Sequence, residues 1–246
     1  MYRKVRRDFF RIWSAEMAYV LGFFAADGNM IRNRRGAHFV SFYSNDRRLL
    51  VDIRDVLDSS HRIGTKKRFP PHKIAYQLQI GSKEIFQDLA SLGFTPNKST
   101  LLRLPRIPMP LVKHFVRGYF DGDGNVYFKR HFAKDRGKYR WIFQSRFTSG
   151  SLVFLRDLHT VLRGGGILGG SLIKKKRGYD LLFSHHDSVA LFHLMYNNIG
   201  DCVYLRRKYL LFRRAVDTLY GGVAQPGSER PLVTRKVAGS NPVAPA

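Results

Sequence analysis

Two aspartates, Asp27 and Asp123, each close one copy of a repeated segment. The first copy reads Tyr19-Val20-Leu21-Gly22-Phe23-Phe24-Ala25-Ala26-Asp27-Gly28, the second Phe115-Val116-Arg117-Gly118-Tyr119-Phe120-Asp121-Gly122-Asp123-Gly124. They agree at Val20/Val116, Gly22/Gly118, Phe24/Phe120, Asp27/Asp123 and Gly28/Gly124, and Asn29/Asn125 extends the agreement. An apolar helix with one glycine on its face and a carboxylate at its C-terminal end, present twice, implies two helices packed together. Gly22 and Gly118 would form that interface and bring the terminal carboxylates close. Two such charges at short range repel unless a cation sits between them. The chemistry implied is a divalent-metal site built by duplication, with Asp27 and Asp123 as ligands. Hard oxygen donors favour Mg²⁺, with Mn²⁺ as the alternative.

The two segments resemble the motif of the LAGLIDADG homing endonucleases, carried twice where one chain forms the whole enzyme. The resemblance implies an α/β (α+β) fold: two pseudo-symmetric αββαββα-like halves, a DNA-binding β-sheet saddle, and the motif helices at the interface. It also implies a monomeric, metal-dependent endonuclease that cuts a long double-stranded site to leave a staggered break. The later acid of each motif binds metal in that family, which maps onto Asp27 and Asp123. The second copy keeps an earlier acid, Asp121, where the first has Ala25, and Asp121 reads as a supporting or structural group. Lys98, just after a helix of the first half, stands where the family often places a lysine near its metals. Lys208 looks like its partner, although Arg207 could align instead. The plainer reading of both lysines is phosphate binding.

The elements that would position these groups also repeat. After each motif comes an alternating stretch, His38 to Ser44 and Tyr139 to Thr148, which reads as a strand. Helical segments follow at Leu49 to Leu57 and Leu152 to Leu162. A basic turn then leads to a strand in each half, Ile74 to Ile80 and Tyr179 to Ser184, and to a helix, Lys83 to Leu92 and Ser188 to Asn197. The halves are thus 1–102 and 111–220, joined by a proline-punctuated linker over 103–110.

Strand alternation puts one set of side chains into the core and the other onto an open face. On that face Arg32, Arg34, Lys66, Arg68, Gln77 and Gln79 are expected in the first half. Arg140, Gln144, Arg146, Lys174 and Lys176 are expected in the second. Arginine and glutamine suit guanine and adenine edges in the major groove. The halves differ at nearly every such position, so the expected site is asymmetric. His185 and His186 are adjacent and, in a strand, would face opposite ways. The sequence holds no P-loop and no Cys/His cluster.

Composition agrees with a polyanionic partner. Lys and Arg number 43 against 18 Asp and Glu, a formal net charge of +25. Such an excess is the electrostatic footprint of a nucleic-acid binder, and a hydrophobic fraction of 44% supplies a core that disordered basic tails lack. No apolar run approaches a membrane-spanning length, and no secretory signal is evident. With one cysteine, Cys202, there is no intramolecular disulfide. An intracellular protein of cytoplasm, nucleoid or organelle is expected. From Gly221 the chain loses periodicity. The codons of Val223-Ala224-Gln225 and Gly239-Ser240-Asn241-Pro242 can spell tRNA D-arm and T-arm signatures, so 221–246 reads as a mobile tail from run-through into a tRNA gene. Two alternatives to the nuclease share the scaffold: an intron RNA maturase and a cleavage-inactive DNA-binding regulator.

Overall fold

A computed structural model describes residues 3–66, 74–96 and 100–221. Arg68, Lys98 and the tail beyond Gly221 lie outside the described residues.

Each motif segment forms a helix that passes directly into a strand. Helix α1 (Ala15–Asp27) starts at Ser14, whose hydroxyl accepts from the Met17 amide at 3.1 Å, a standard way to satisfy an orphan N–H. Strand β1 (Gly28–Arg32) follows without a loop, because Gly28 already has extended backbone. The first half continues with β2 (His38–Ser44), α2 (Arg47–Val56), β3 (Ile63–Lys66), β4 (Ala75–Gly81) and α3 (Lys83–Ser91). The linker leads through a single 3₁₀ turn at Met109–Leu111 into α4 (Val112–Asp123), the second motif helix.

The second half repeats the order: β5 (Gly124–Ala133), β6 (Lys138–Ser149), α5 (Leu152–Gly164), β7 (Ser171–Lys175), β8 (Gly178–Ser184) and α6 (His185–Tyr196). The expected αββαββα unit therefore occurs twice. His185 and His186 open α6 instead of extending the strand: the ladder ends at Ser184, opposite Gln144, and Asp187 supplies the acid that helix first turns favour. Helix α7 (Arg206–Tyr220) was not legible as part of the repeat. It buries Phe212, Ala215 and Val216 beside β5 and α6.

The strands form two antiparallel four-stranded sheets, ordered β1-β2-β4-β3 and β5-β6-β8-β7. Among the described residues the two sheets share no ladder and are joined through helices, as the two-half fold implies. One face of each packs on helices. Val40, Phe42, Leu78 and Ile80 are buried in the first, and Phe143, Phe147, Leu181 and Phe183 in the second. Motif-helix aromatics complete this layer: Phe24 meets Phe42 edge-on at 5.6 Å, and Phe120 meets Phe147 at 5.3 Å. The β5–β6 hairpin is much longer than β1–β2, and Phe128 stacks on Trp141 at 4.3 Å on its helix-side face.

Candidate active site and nucleic-acid interface

Helices α1 and α4 meet backbone to backbone. A Cβ on Gly22 would collide with the Phe115 carbonyl oxygen and lie 2.9 Å from the Tyr119 nitrogen. One on Gly118 would strike the Tyr19 carbonyl oxygen and lie 2.9 Å from the Phe23 nitrogen. The two collisions are mirror images of each other in the repeat, so Gly22 and Gly118 occupy the interface that the sequence assigned to them. At the C-terminal end of the seam Gly122 faces Ala26, and a Cβ there would be 3.3 Å from Asp27 Oδ2. The Asp27 carboxylate thus lies against the opposite motif helix.

Asp123 follows Gly122 at the same end of α4, and it and Asp27 act on the same buried groups. Tyr119, which donates to the Thr148 carbonyl at 2.9 Å, has its phenol pushed well up, first by burial and then by the charges of Asp123 and Asp27. The same two carboxylates act on the Lys208 ammonium. Both aspartates are half-buried at helix C-termini, where backbone carbonyls already concentrate negative potential. Half-buried hard oxygen donors from two chain segments, in negative potential, are a donor set suited to Mg²⁺ or Mn²⁺. Asp27 and Asp123 are the residues that could hold it.

Lys208 has a different position from the one expected of a group reaching toward a phosphate. It is 7% exposed, and its Nζ donates to the carbonyls of Phe120 at 2.7 Å, Asp121 at 2.9 Å, Gly122 at 3.1 Å and Gly124. These carbonyls close the C-terminal end of α4, where the helix itself runs out of donors. Burial pushes the ammonium down to about 8, against the upward pull of Asp121. Lys208 therefore fixes the end of the helix that carries Asp123, and its donors are committed to backbone.

Asp121 is fully inside the protein. Its Oδ2 accepts from Tyr19 Oη at 2.8 Å and from the Leu205 amide at 2.7 Å, tying α4 to α1 and to the start of α7. Burial raises it to about 6, opposed by Lys208 and Arg117. In the repeat Asp121 matches Ala25, and its partner Tyr19 matches Phe115. Acid and hydroxyl occur together and are replaced together by apolar residues, which supports the structural reading of Asp121. Arg117, 2% exposed, donates to the carbonyls of Met195 at 2.9 Å and Val203 at 3.2 Å and to His114 Nδ1 at 3.0 Å.

Strand register sorts the expected DNA contacts. Gln77, Gln79 and Lys66 share the open face of the first sheet with Ser41 and Tyr43, where the Lys66 ammonium lies 4.8 Å over the Tyr43 ring. Arg140, Gln144 and Arg146 share the open face of the second with Asn125 and Tyr127. Four expected residues shift. Arg32 pairs with His38, whose ring packs on Phe86 of α3, so Arg32 lies on the helix-side parity at the strand tip. Lys174 also has helix-side parity, and Lys175 takes the open face instead. Arg34 and Lys176 occupy the β1–β2 and β7–β8 turns. A tight turn resets side-chain alternation, so counting along the sequence drifts off register there. Asn125, Asp180 and Lys175 on the open face were missed. The repeat of Asn29 as Asn125 was a usable signal for the first, and nothing in the local sequence marked the others.

Two helix–sheet units meet through their first helices in glycine-mediated contact, and known proteins share this arrangement. Residues 14–92 match the family model described as the LAGLIDADG-like domain. The homing endonuclease I-WcaI bound to its DNA recognition sequence is similar over 83% of this chain and 90% of that one, with TM-score 0.56 and 14% identity. The LAGLIDADG meganuclease I-AabMI bound to uncleaved DNA is similar over 81% and 88%, with TM-score 0.56 and 12% identity. The N-terminal LAGLIDADG domain of DUF199/WhiA is similar over 77% and 87%, with TM-score 0.50 and 14% identity. A curated relative, a component of the A-type ATP synthase of Methanopyrus kandleri, is 28% identical over 180 residues, 72% of this chain, and the chain spans 15% of that protein's length. Residues 14–92 are thus similar to the LAGLIDADG-like domain, and the chain shares the fold of these LAGLIDADG homing endonuclease structures. No helix among the described residues is long and apolar enough to cross a membrane.

Proposed function

We propose that this protein is a site-specific endonuclease of the homing type, cutting a long asymmetric duplex by metal-dependent hydrolysis to leave a staggered break. The observation that carries the reading is the convergence of Asp27 and Asp123 at the seam between two sheets whose open faces are polar and basic. Solved structures of this fold include enzymes bound to DNA, and a net charge of +25 suits the same partner.

In this reading the two aspartates would hold Mg²⁺, or Mn²⁺ in its place, which when bound would supply water activation and charge neutralisation at the scissile phosphate. The chain's own residues do the rest. Gly22 and Gly118 set the helix separation, and Lys208 and Asp121 fix the end of α4, so that the carboxylates stay in place as the duplex docks. The strands on either side grip phosphates for affinity and base edges for register. Lys98 remains the proposed basic group beside the metals. The ATP synthase name accompanies a match to one segment of a far longer protein, and this sequence has no phosphate-binding P-loop.

The test is cleavage of a randomised duplex library with Mg²⁺, repeated with EDTA and with Asp27→Asn and Asp123→Asn. Discrete cuts that vanish in all controls, while the variants still bind DNA, are the expected result. A variant that cuts normally would falsify the metal assignment. The WhiA LAGLIDADG domain shares this fold as well, and the second reading is a cleavage-inactive DNA-binding regulator on the same scaffold. Tight duplex binding with no cuts would select it, and intron RNA would be the next ligand to try.

A further inference from the structure

Beside the seam, the two sheets present different chemistry at matching positions. The motif repeat equates Asn29 with Asn125, and the ladders carry that match across each sheet. Asn29 faces Ser41, which faces Gln79; Asn125 faces Arg146, which faces Leu182. One step on, Tyr43 faces Gln77 and Thr148 faces Asp180. Arg146 and Asp180 thus stand where the first half has Ser41 and Gln77.

Asp180 is the only carboxylate carried by any of the eight described strands, and it lies on an open face. There it would repel phosphates unless it were engaged by cations. Its side chain is 6% exposed. Its Oδ1 accepts from Thr148 Oγ1 at 2.9 Å, and its Oδ2 lies 3.6 Å from Arg146 Nη1 and 3.5 Å from Lys175 Nζ. The other terminal nitrogen of Arg146 reaches Asn125 Oδ1 at 3.4 Å. Asn125 is two residues beyond Asp123. The guanidinium is thereby held from two sides with its side chain 38% exposed, bordering a cavity of about 200 Å³ with Tyr127, Gln144 and Leu182. In the first half Ser41 fills the place of Arg146, and the amide nitrogens of Gln77 and Gln79 both donate to its Oγ, at 3.1 and 3.3 Å.

We infer that Arg146, oriented by Asp180 and Asn125, is a specificity-determining residue that reads a guanine in the half-site under the second sheet, beside the cleavage centre. The first half makes no such demand at the matching position. A guanidinium fork matches guanine O6 and N7 in the major groove. Fixing the fork beforehand removes the rotamer cost that would otherwise weaken discrimination. This inference rests on duplex DNA being the ligand.

The experiment is selection of a randomised duplex library by the full chain in EDTA, so that binding is read without cleavage. Wild-type protein should enrich sequences with one fixed guanine next to the centre on one side only. Arg146→Ala should reduce that preference roughly ten- to a hundred-fold, and Arg146→Lys, which keeps the charge, should keep affinity and lose most of the preference. Asp180→Asn, which can still accept from Thr148, should weaken the preference while Arg146 remains. Thermal unfolding of each variant checks that the fold is kept. If Arg146→Ala binds duplex with the same guanine preference as wild type, the inference is wrong and the endonuclease reading stands. If the wild-type chain enriches no duplex sequence, both fall together.

Discussion

Arg117 is the largest fully buried side chain among the described residues, and its charge is accommodated by carbonyls and a histidine. His114 meets it through Nδ1, so its ring must stay neutral to accept that bond. Burial, and then the Arg117 charge, push His114 down to about 4, from an unfolded value near 6.5. Below pH ~6.5 the unfolded chain takes up a proton that the folded chain refuses. Stability contributed by neutral His114 is therefore complete above pH ~6.5 and lost as pH falls toward 4, a contribution on the order of 2 kcal/mol. Urea unfolding of wild type and His114→Gln at pH 7.5 and pH 5 should show the gap between the two proteins shrinking at the lower pH. A gap that stays constant would mean the ring is not held neutral.

Among the elements, the paired motif helices are the least tolerant of added volume. A methyl group on Gly118 meets the backbone of α1 at Tyr19 and Phe23, which cannot rotate away. Overpacking against backbone should cost about 3 kcal/mol or more, lowering Tm by roughly 6–12 °C for a chain of this size. Gly22→Ala should do the same, since its neighbours are the matching atoms of α4. Calorimetric unfolding of both variants measures this, and unchanged Tm values would show that the helices do not pack as described. By contrast Gly36, with φ +81° in the β1–β2 turn and open space around it, constrains conformation only.

For the whole molecule, the proposed DNA binding divides between charge, which would set affinity, and the open faces, which would set sequence preference. Duplex affinity should fall linearly in a log–log plot against salt, with a slope near −0.9 for each phosphate neutralised. Lys66 and Lys129 lie on the two open faces, 4.8 Å over Tyr43 and 5.9 Å over Tyr127. Alanine at either should lower the magnitude of that slope by about one and leave the preferred sequence alone, the opposite pattern to Arg146→Ala. Fluorescence anisotropy across a salt series separates the two. A slope unmoved by both lysine variants would place the phosphates elsewhere.

The amino-acid sequence by itself determined the repeat, the helix–strand order of each half, the glycine-mediated helix contact and the position of Asp27 and Asp123 at the ends of the motif helices. Those features depend on residue type at fixed spacing: a glycine on an apolar helix face and an acid at its end mean the same thing in any register of the remainder. Tertiary structure decided what spacing cannot. The sequence reads Lys208 as a metal-side or phosphate-binding group and Asp121 as a supporting one without naming its partners, and only the packing of α7 over the end of α4 buries them against helix carbonyls and Tyr19. Arg32 and Lys174 looked DNA-facing because alternation is periodic. Which face a strand residue takes is fixed by the ladder, and a shift of one residue at a turn sends it to the other side. Asp180 gained its place beside Arg146 in the same way, through the β6–β8 pairing, between residues far apart in the chain.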